Sequence, residues 1–214
     1  MDVVEAISGR RSIRAFNDRP LPEGVLEELC QAGLLAPAPH HTRPWRFVIV
    51  GAGQPRERLA EEMGNAWRAD LERDGHPEGL ISGLLTESRR RIVSAPGLVL
   101  CGLVGEGLRD WPDQRRHTFE WQMAAHSMGA ALQNIMLAAH ERGIASYWIS
   151  APLFAPEAVR SATGLSEEFV AQALIALGYA ADDYKPRTRP DYEAGEFIIS
   201  VQSGGYRRGK QCLQ

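Results

Sequence analysis

The chain has 214 residues, which suits one domain or two small ones, and its 44% hydrophobic content supplies enough core to set disorder aside. A net charge of -3 excludes binding to nucleic acid through bulk charge. Lysine occurs only at 185 and 210, so arginine supplies almost all of the positive charge. Its planar fork suits phosphates and carboxylates.

In chain order, residues 2–9 read as a short helix that leads into "GRRSIRAF". Pro20 and Pro22 punctuate, and "PEGVLEELCQAGLLA" predicts a helix over 22–36 from apolar spacing near the helical period. "RFVIVG" predicts a strand over 46–51, closed by Gly51. Two amphipathic helices follow over 55–75 and 78–95, the second stopped before Pro96. "GLVLCGLV", 97–104, reads as a buried strand. Residues 119–143 form a long helix apolar on nearly all sides, which places it centrally or at a subunit interface. "IASYWIS" predicts a strand over 144–150, "PEAVRSATG" a helix over 156–164, and "FVAQALIALGYA" contains a further strand within 169–180. An irregular basic tail follows from Asp182. Strands separated by helices around one dominant helix fit a single α/β or α+β domain spanning 1–214.

Cys30, Cys101 and Cys212 are far apart, odd in number and without a CxxC pair, so neither a disulfide framework nor a zinc site is indicated. No apolar run reaches the roughly 18 residues of a membrane span. The N-terminal residues lack the pattern of a secretory signal. A cytoplasmic protein is expected, with no membrane and no nucleic-acid partner.

Three stretches carry chemistry. "GRRSIRAF" gathers Arg10, Arg11, Ser12 and Arg14 beside backbone N–H groups, a set suited to a phosphate or, more simply, a solvated basic turn. "KPRTRP" alternates Lys185, Arg187 and Arg189, so two guanidiniums of an extended chain could grip one anion or stay solvated. "APAPHHTRPW" sets His40 and His41 in a Pro-rich loop. Adjacent imidazoles point apart, and no HxxxH or HExxH pattern joins them to His117, His126 or His140, so no metal is expected. GxSxG and GxGxxG are both absent, which disfavours a serine hydrolase and a Rossmann dinucleotide site.

In order along nearly the whole chain, "RRSIR", "APAPHHTRPWRF", "AAHSMGAALQNIMLAAHERGIASYW" and "GYAADDYKPRTRP" resemble the FMN-dependent nitroreductase family. The loop departs from the Ser/Asn/Gln-rich form common there. With "AWRADLERDG" and "SYWISAPLFAPEAVR", it is similar to the C-terminal reductase domain of FbiB-type enzymes of coenzyme F420 biosynthesis.

The resemblance implies an α+β fold, a mixed β-sheet flanked by helices, in a homodimer that swaps terminal segments and shares two FMN sites. It implies FMN bound by Arg10, Arg11, Ser12, Ile13 and Arg14, with Arg187 as a second phosphate contact and Arg189 as its helper. Ala38 and Ser150 fall beside the flavin. Asp70 falls at the substrate, on a charged helix that is a mobile lid or a solvated face. His40 and His41 are proton donors, contacts to the substrate's carboxylate or phosphodiester, or packing against the flavin. The implied reaction reduces dehydro-F420-0 to F420-0, with glutamate ligation on a separate chain. The alternatives are a broad NAD(P)H-dependent FMN nitroreductase or ene-reductase, and a flavin- or F420-binding protein without turnover.

Overall fold

A computed structural model describes residues 1–202 and 205–207; Lys210 and Cys212 lie outside the described residues. The first compact unit is Met1–Tyr184, and a second begins at Lys185.

Helix α1 (Val3–Gly9) starts at a capping box, in which the Asp2 carboxylate accepts from the Glu5 N–H and the Glu5 carboxylate accepts from the Asp2 N–H. Helix α2 (Val25–Leu34) is shorter than its apolar spacing predicts, because Gly24 adopts a left-handed φ of 75° at its start. Strand β1 (Trp45–Ile49), helices α3 (Gln54–Arg73) and α4 (Glu78–Val93) and strand β2 (Gly97–Leu103) follow. Helix α5 (Gln114–Glu141) begins a turn earlier than apolar periodicity indicates. Its first turn is polar, and the Asp113 carboxylate caps it by accepting from the Arg116 N–H at 2.9 Å. Strand β3 (Ala145–Ile149), helix α6 (Pro156–Thr163) and strand β4 (Val170–Gly178) complete the unit.

The sheet order is β1-β2-β4-β3, with every ladder antiparallel. The mixed sheet expected from the resemblance is therefore narrowed: parallel pairing enters as one isolated bridge, Ser12 to Ser146. The fold is α+β, as expected.

Alternation of side chains builds two cores. Val99, Cys101, Leu103, Ala173, Ile175 and Leu177 meet α2 and α5 on one face. Leu98, Leu100, Leu174 and Ala176 meet α3, α4 and α6 on the other. A bulge lies between Cys101 and Gly102, where Gln172 is the extra residue, so Ala171 joins the second face. Gly102 is required there, since a Cβ would lie 2.2 Å from the Phe169 ring. Arg56, 4% exposed, fastens the turn after β1 to the end of α4. Its Nε donates to the Val50 carbonyl at 3.1 Å and its Nη1 to the Ala95 carbonyl.

In the second unit, residues 185–193 lack regular structure. The expected irregular tail ends instead in a short helix, Ala194–Phe197, and a hairpin of Ser200–Gln202 with Gly205–Arg207. Among the described residues, no helix is long and apolar enough to cross a membrane.

Candidate functional site

Two groups of candidate residues sit at opposite edges of the sheet. At the β3 edge, α1 ends at Gly9 and the chain runs on beside β3. The Ile13 N–H donates to the Ser146 carbonyl at 3.1 Å, and the Asn17 N–H to the Tyr179 carbonyl at 3.0 Å. These bonds fix the segment 10–17 against two strands. Arg11 is spent locally: its Nη1 donates to the carbonyls of Ser8 at 2.5 Å, Gly9 at 3.2 Å and Arg10 at 3.0 Å. It braces the carbonyl end of α1, whose partial negative charge it offsets.

Arg10 is half-buried, with its Nε and Nη1 enclosed. Ser12 and Arg14 are exposed, and Arg14 stands 5.8 Å from the centre of the Tyr147 ring. Burial pushes the Tyr147 phenol up, against the pull of Arg91, Arg90 and Arg14. Beneath the segment, Ser146 is 2% exposed, and its Oγ has no hydrogen-bond partner among the described residues. Two guanidiniums, two hydroxyls and backbone N–H groups at one strand end are a donor set that fits a phosphate.

Ser150 lies at the other end of the same strand. It is exposed and opens a short 3₁₀ turn, Ala151–Phe154, its carbonyl accepting from the Leu153 N–H at 3.0 Å. It stands four positions on from Ser146, about 13 Å of extended chain. Ile149 and Ala151 line a cavity of about 590 Å³ whose walls include Met63, Trp67 and Asp70 of α3 and Glu87 and Arg91 of α4. Asp70 thus lines the same cavity as the two chain neighbours of Ser150. Asp70 also accepts an ion pair from Arg73 at 2.8 Å. Glu87, paired with Arg90 and Arg91, is held down at about 2 by their hydrogen bonds.

The second group lies before β1, on the opposite edge, roughly 14 Å away at 4.8 Å per strand spacing. Ala38 precedes a 3₁₀ turn, Pro39–His41, and its carbonyl accepts from the His41 N–H at 3.2 Å. His40 (φ 53°), His41 (φ 57°) and Arg43 (φ 48°) are all left-handed, each costing about 1–2 kcal/mol for a residue with a Cβ. Three such residues within four are a marked local strain, of the kind that gathers at ligand sites. Pro37, Ala38 and Pro39 face Met123, His126, Ser127 and Ala130 of α5 across a shallow groove. The unit therefore does not bring His40 and His41 to Ser150 and Asp70.

The strain is held by the loop after β2. Trp45 pairs with Leu103, so the two loops leave the sheet at the same end. The Val104 N–H donates to the Pro44 carbonyl at 2.8 Å, Arg46 pairs with Glu106, and Arg109 Nη2 approaches His40 Nδ1 at 3.5 Å. Glu120 was not singled out from the sequence, yet it is 2% exposed and anchors this loop. Its carboxylate accepts from the Trp111 indole N–H at 3.0 Å and the Arg109 N–H at 3.3 Å. The indole bond holds its carboxyl below the usual range, with the Arg109 N–H and nearby Arg109 and His40 adding to it. A lone charged residue inside a mostly apolar helical stretch, "FEWQMAA", is the signal that could have found it.

Burial pushes the Cys30 thiol up to about 11 and the Cys101 thiol up as well, so both stay protonated and unreactive. Arg187 and Arg189 belong to the second unit.

Residues 7–179 match the model of the nitroreductase family. A protein of Thermus thermophilus called NADH dehydrogenase is 30% identical over 204 residues, covering 88% of this chain and 92% of that one. The solved structure of a BluB-like flavoprotein from Clostridium difficile superposes with a TM-score of 0.76 at 22% identity, covering 94% of this chain and all of the other. That of the FMN-dependent nitroreductase NfnB from Mycobacterium smegmatis, in complex with NADPH, gives 0.68 at 22% identity, covering 93% and 97%. With four-fifths of its length inside the family pattern and the fold to match, this chain belongs to the nitroreductase family.

Proposed function

We propose that the chain is an FMN-dependent oxidoreductase of conjugated acceptors. The carrying observation is the layout along β3: a phosphate-fitting donor set at one end, and Ser150 with a ligand-sized cavity at the other. A flavin mononucleotide has its phosphate and its ring at opposite ends of a ribityl chain, which suits that spacing. Bound there, FMN supplies the hydride chemistry.

In this reading Arg10, Ser12 and Arg14 hold the phosphate with the backbone at Ile13, and Arg11 keeps α1 in place behind them. Arg187, helped by Arg189, adds a second phosphate contact. Ser150 and Ala38 lie beside the ring. Asp70 meets the acceptor in the cavity, and His40 and His41 bind its anionic group or give it a proton. Because the histidine loop and Ser150 lie at opposite edges of one sheet, the complete site takes its loop from a second copy. A homodimer is further supported by the exposed apolar side chains of α1 (Val3, Val4, Ile7) and α5 (Phe119, Met123), which a partner would cover.

For the acceptor, the loop "APAPHHTRP" supports dehydro-F420-0, reduced to F420-0 in the cytoplasm, with a glutamate ligase on a separate chain acting afterwards. A second reading, a broad NAD(P)H-dependent nitroreductase, is favoured by the family match and, for the electron donor alone, by the Thermus relative's name, NADH dehydrogenase. The test is anaerobic. The protein is titrated with FMN, reduced, and mixed with dehydro-F420-0 or nitrofurazone. Rapid reoxidation by dehydro-F420-0 supports the first reading. Reoxidation by nitrofurazone alone selects the second. Absence of FMN binding overturns both.

A further inference from the structure

Glu120, Arg109 and His40 form a chain of contacts that the proposed cofactor and acceptor do not explain. Glu120 is one of the few buried charged side chains among the described residues, and it sits at the start of α5 with both carboxylate oxygens engaged. One of those bonds fixes the backbone of Arg109. Arg109 in turn places Nη2 3.5 Å from Nδ1 of His40. His40 is exposed and held in a left-handed conformation, uncommon for a residue with a Cβ. A guanidinium can only donate, so Nδ1 facing it must carry a lone pair, and the proton of the neutral ring must sit on Nε2.

We propose that Arg109, anchored by Glu120, is a positioning residue that sets His40 in the Nε2–H tautomer and so makes it a hydrogen-bond donor toward a carbonyl or carboxylate oxygen of the acceptor. The inference rests on the reading of the Pro-rich loop as part of the flavin site. It assigns different roles to the two adjacent histidines. Among the described residues the His41 ring has no comparable partner, while His40 is held at Nδ1 and offers Nε2 outward. The strain of the loop then has a use: left-handed backbone at 40 turns the ring toward the loop after β2, and Val104–Pro44, Arg46–Glu106 and Glu120–Arg109 keep it there.

The test combines a spectroscopic and a kinetic arm on the full chain. Imidazole nitrogen NMR at pH 8.5 reports the tautomer of His40 directly, with no cofactor needed. The wild type is expected to show Nε2 protonated and Nδ1 as the lone-pair nitrogen. In Arg109→Met, and more weakly in Glu120→Gln, His40 averages between both tautomers. A wild-type His40 protonated at Nδ1, or averaged just as in Arg109→Met, overturns the proposal.

For the kinetic arm, NADH-dependent reduction of nitrofurazone by the FMN-loaded protein is compared in two variants. Gln at 40 carries an amide N–H near the position of Nε2, whereas Asn carries one near Nδ1 and tolerates left-handed backbone. His40→Gln should stay near the wild-type KM, while His40→Asn should raise it about tenfold, the worth of one hydrogen bond, with FMN affinity unchanged in both. Equal KM values in the two variants overturn the donor role. A wild type that binds no FMN instead sinks the functional reading, and the tautomer measurement still decides whether His40 is locked.

Discussion

The two edges of the sheet are built in opposite ways. At the β3 edge, the basic segment lies in ordinary extended backbone, tied by main-chain bonds to Ser146 and Tyr179. At the β1 edge, the histidine loop stands in left-handed backbone and depends on side chains from elsewhere to keep it there. A site for a fixed anion needs only donors at set spacing, and a strand supplies that at low conformational cost. A loop that must orient one imidazole needs an unusual backbone, and unusual backbone needs bracing. If the proposed site holds, the difference teaches that the anion end should tolerate changes around it, whereas the histidine end should be sensitive to residues that touch no ligand.

The largest expected effect comes from the bulge that sets the end of the sheet where the histidine loop begins. Gly102→Ala should destabilise the protein by about 3 kcal/mol in urea melts, because the Phe169 ring has no room for the added methyl. A loss below half of that would mean the bulge can relax. Next, Arg10→Ala should weaken FMN binding by about 1.5–3 kcal/mol in a fluorescence-quenching titration, the range for a hydrogen bond to a charged group. Arg11→Ala should instead act mainly on stability, through the end of α1. Equal losses of FMN affinity in both variants would erase the distinction between holder and brace. At the strained edge, Arg43→Gly should stabilise by about 0.5 kcal/mol, the strain relieved less the entropy cost of glycine. A destabilised variant would show that the left-handed backbone there carries no strain.

The smallest effect concerns the cavity near the β3 edge. The Glu87 carboxyl lies below its usual 4.5, at about 2, so its pairing with Arg90 and Arg91 favours the folded state above pH 4.5 and is lost as pH falls toward 2. Thermal melts of the wild type and Glu87→Gln should therefore differ most near neutral pH and converge near pH 2. A gap that widens on acidification would refute the assignment.

Much of the architecture was legible in the sequence. The helices and strands announce themselves by period, and β2 is recognisable as a wholly apolar run that proves buried at every position. "RRSIR" and the Pro-rich loop marked both edges. What was hidden depends on distance in the chain. Nothing in "GRRSIRAF" says that Arg11 turns back on its own helix, since that follows from where α1 ends. The polar first turn of α5 concealed its true start, because Asp113 caps it without adding apolar residues. Glu120 stands out in "FEWQMAA" as a lone charge, but what it holds emerges only when the fold sets Trp111 and Arg109 around it. That His40 and Ser150 stand a sheet's width apart depends on strand order, which no local pattern encodes.

The bridge between Ser12 and Ser146 carries a consequence for biosynthesis. The basic segment leaves the ribosome early, but the strand it leans on is made only after more than half of the chain has followed. Until β3 has taken its place beside β4, Arg10 and Arg14 have no frame. The proposed cofactor end of the protein should therefore mature among the last parts to fold, and a nascent chain released before β3 should be unable to retain flavin however well its first helix forms.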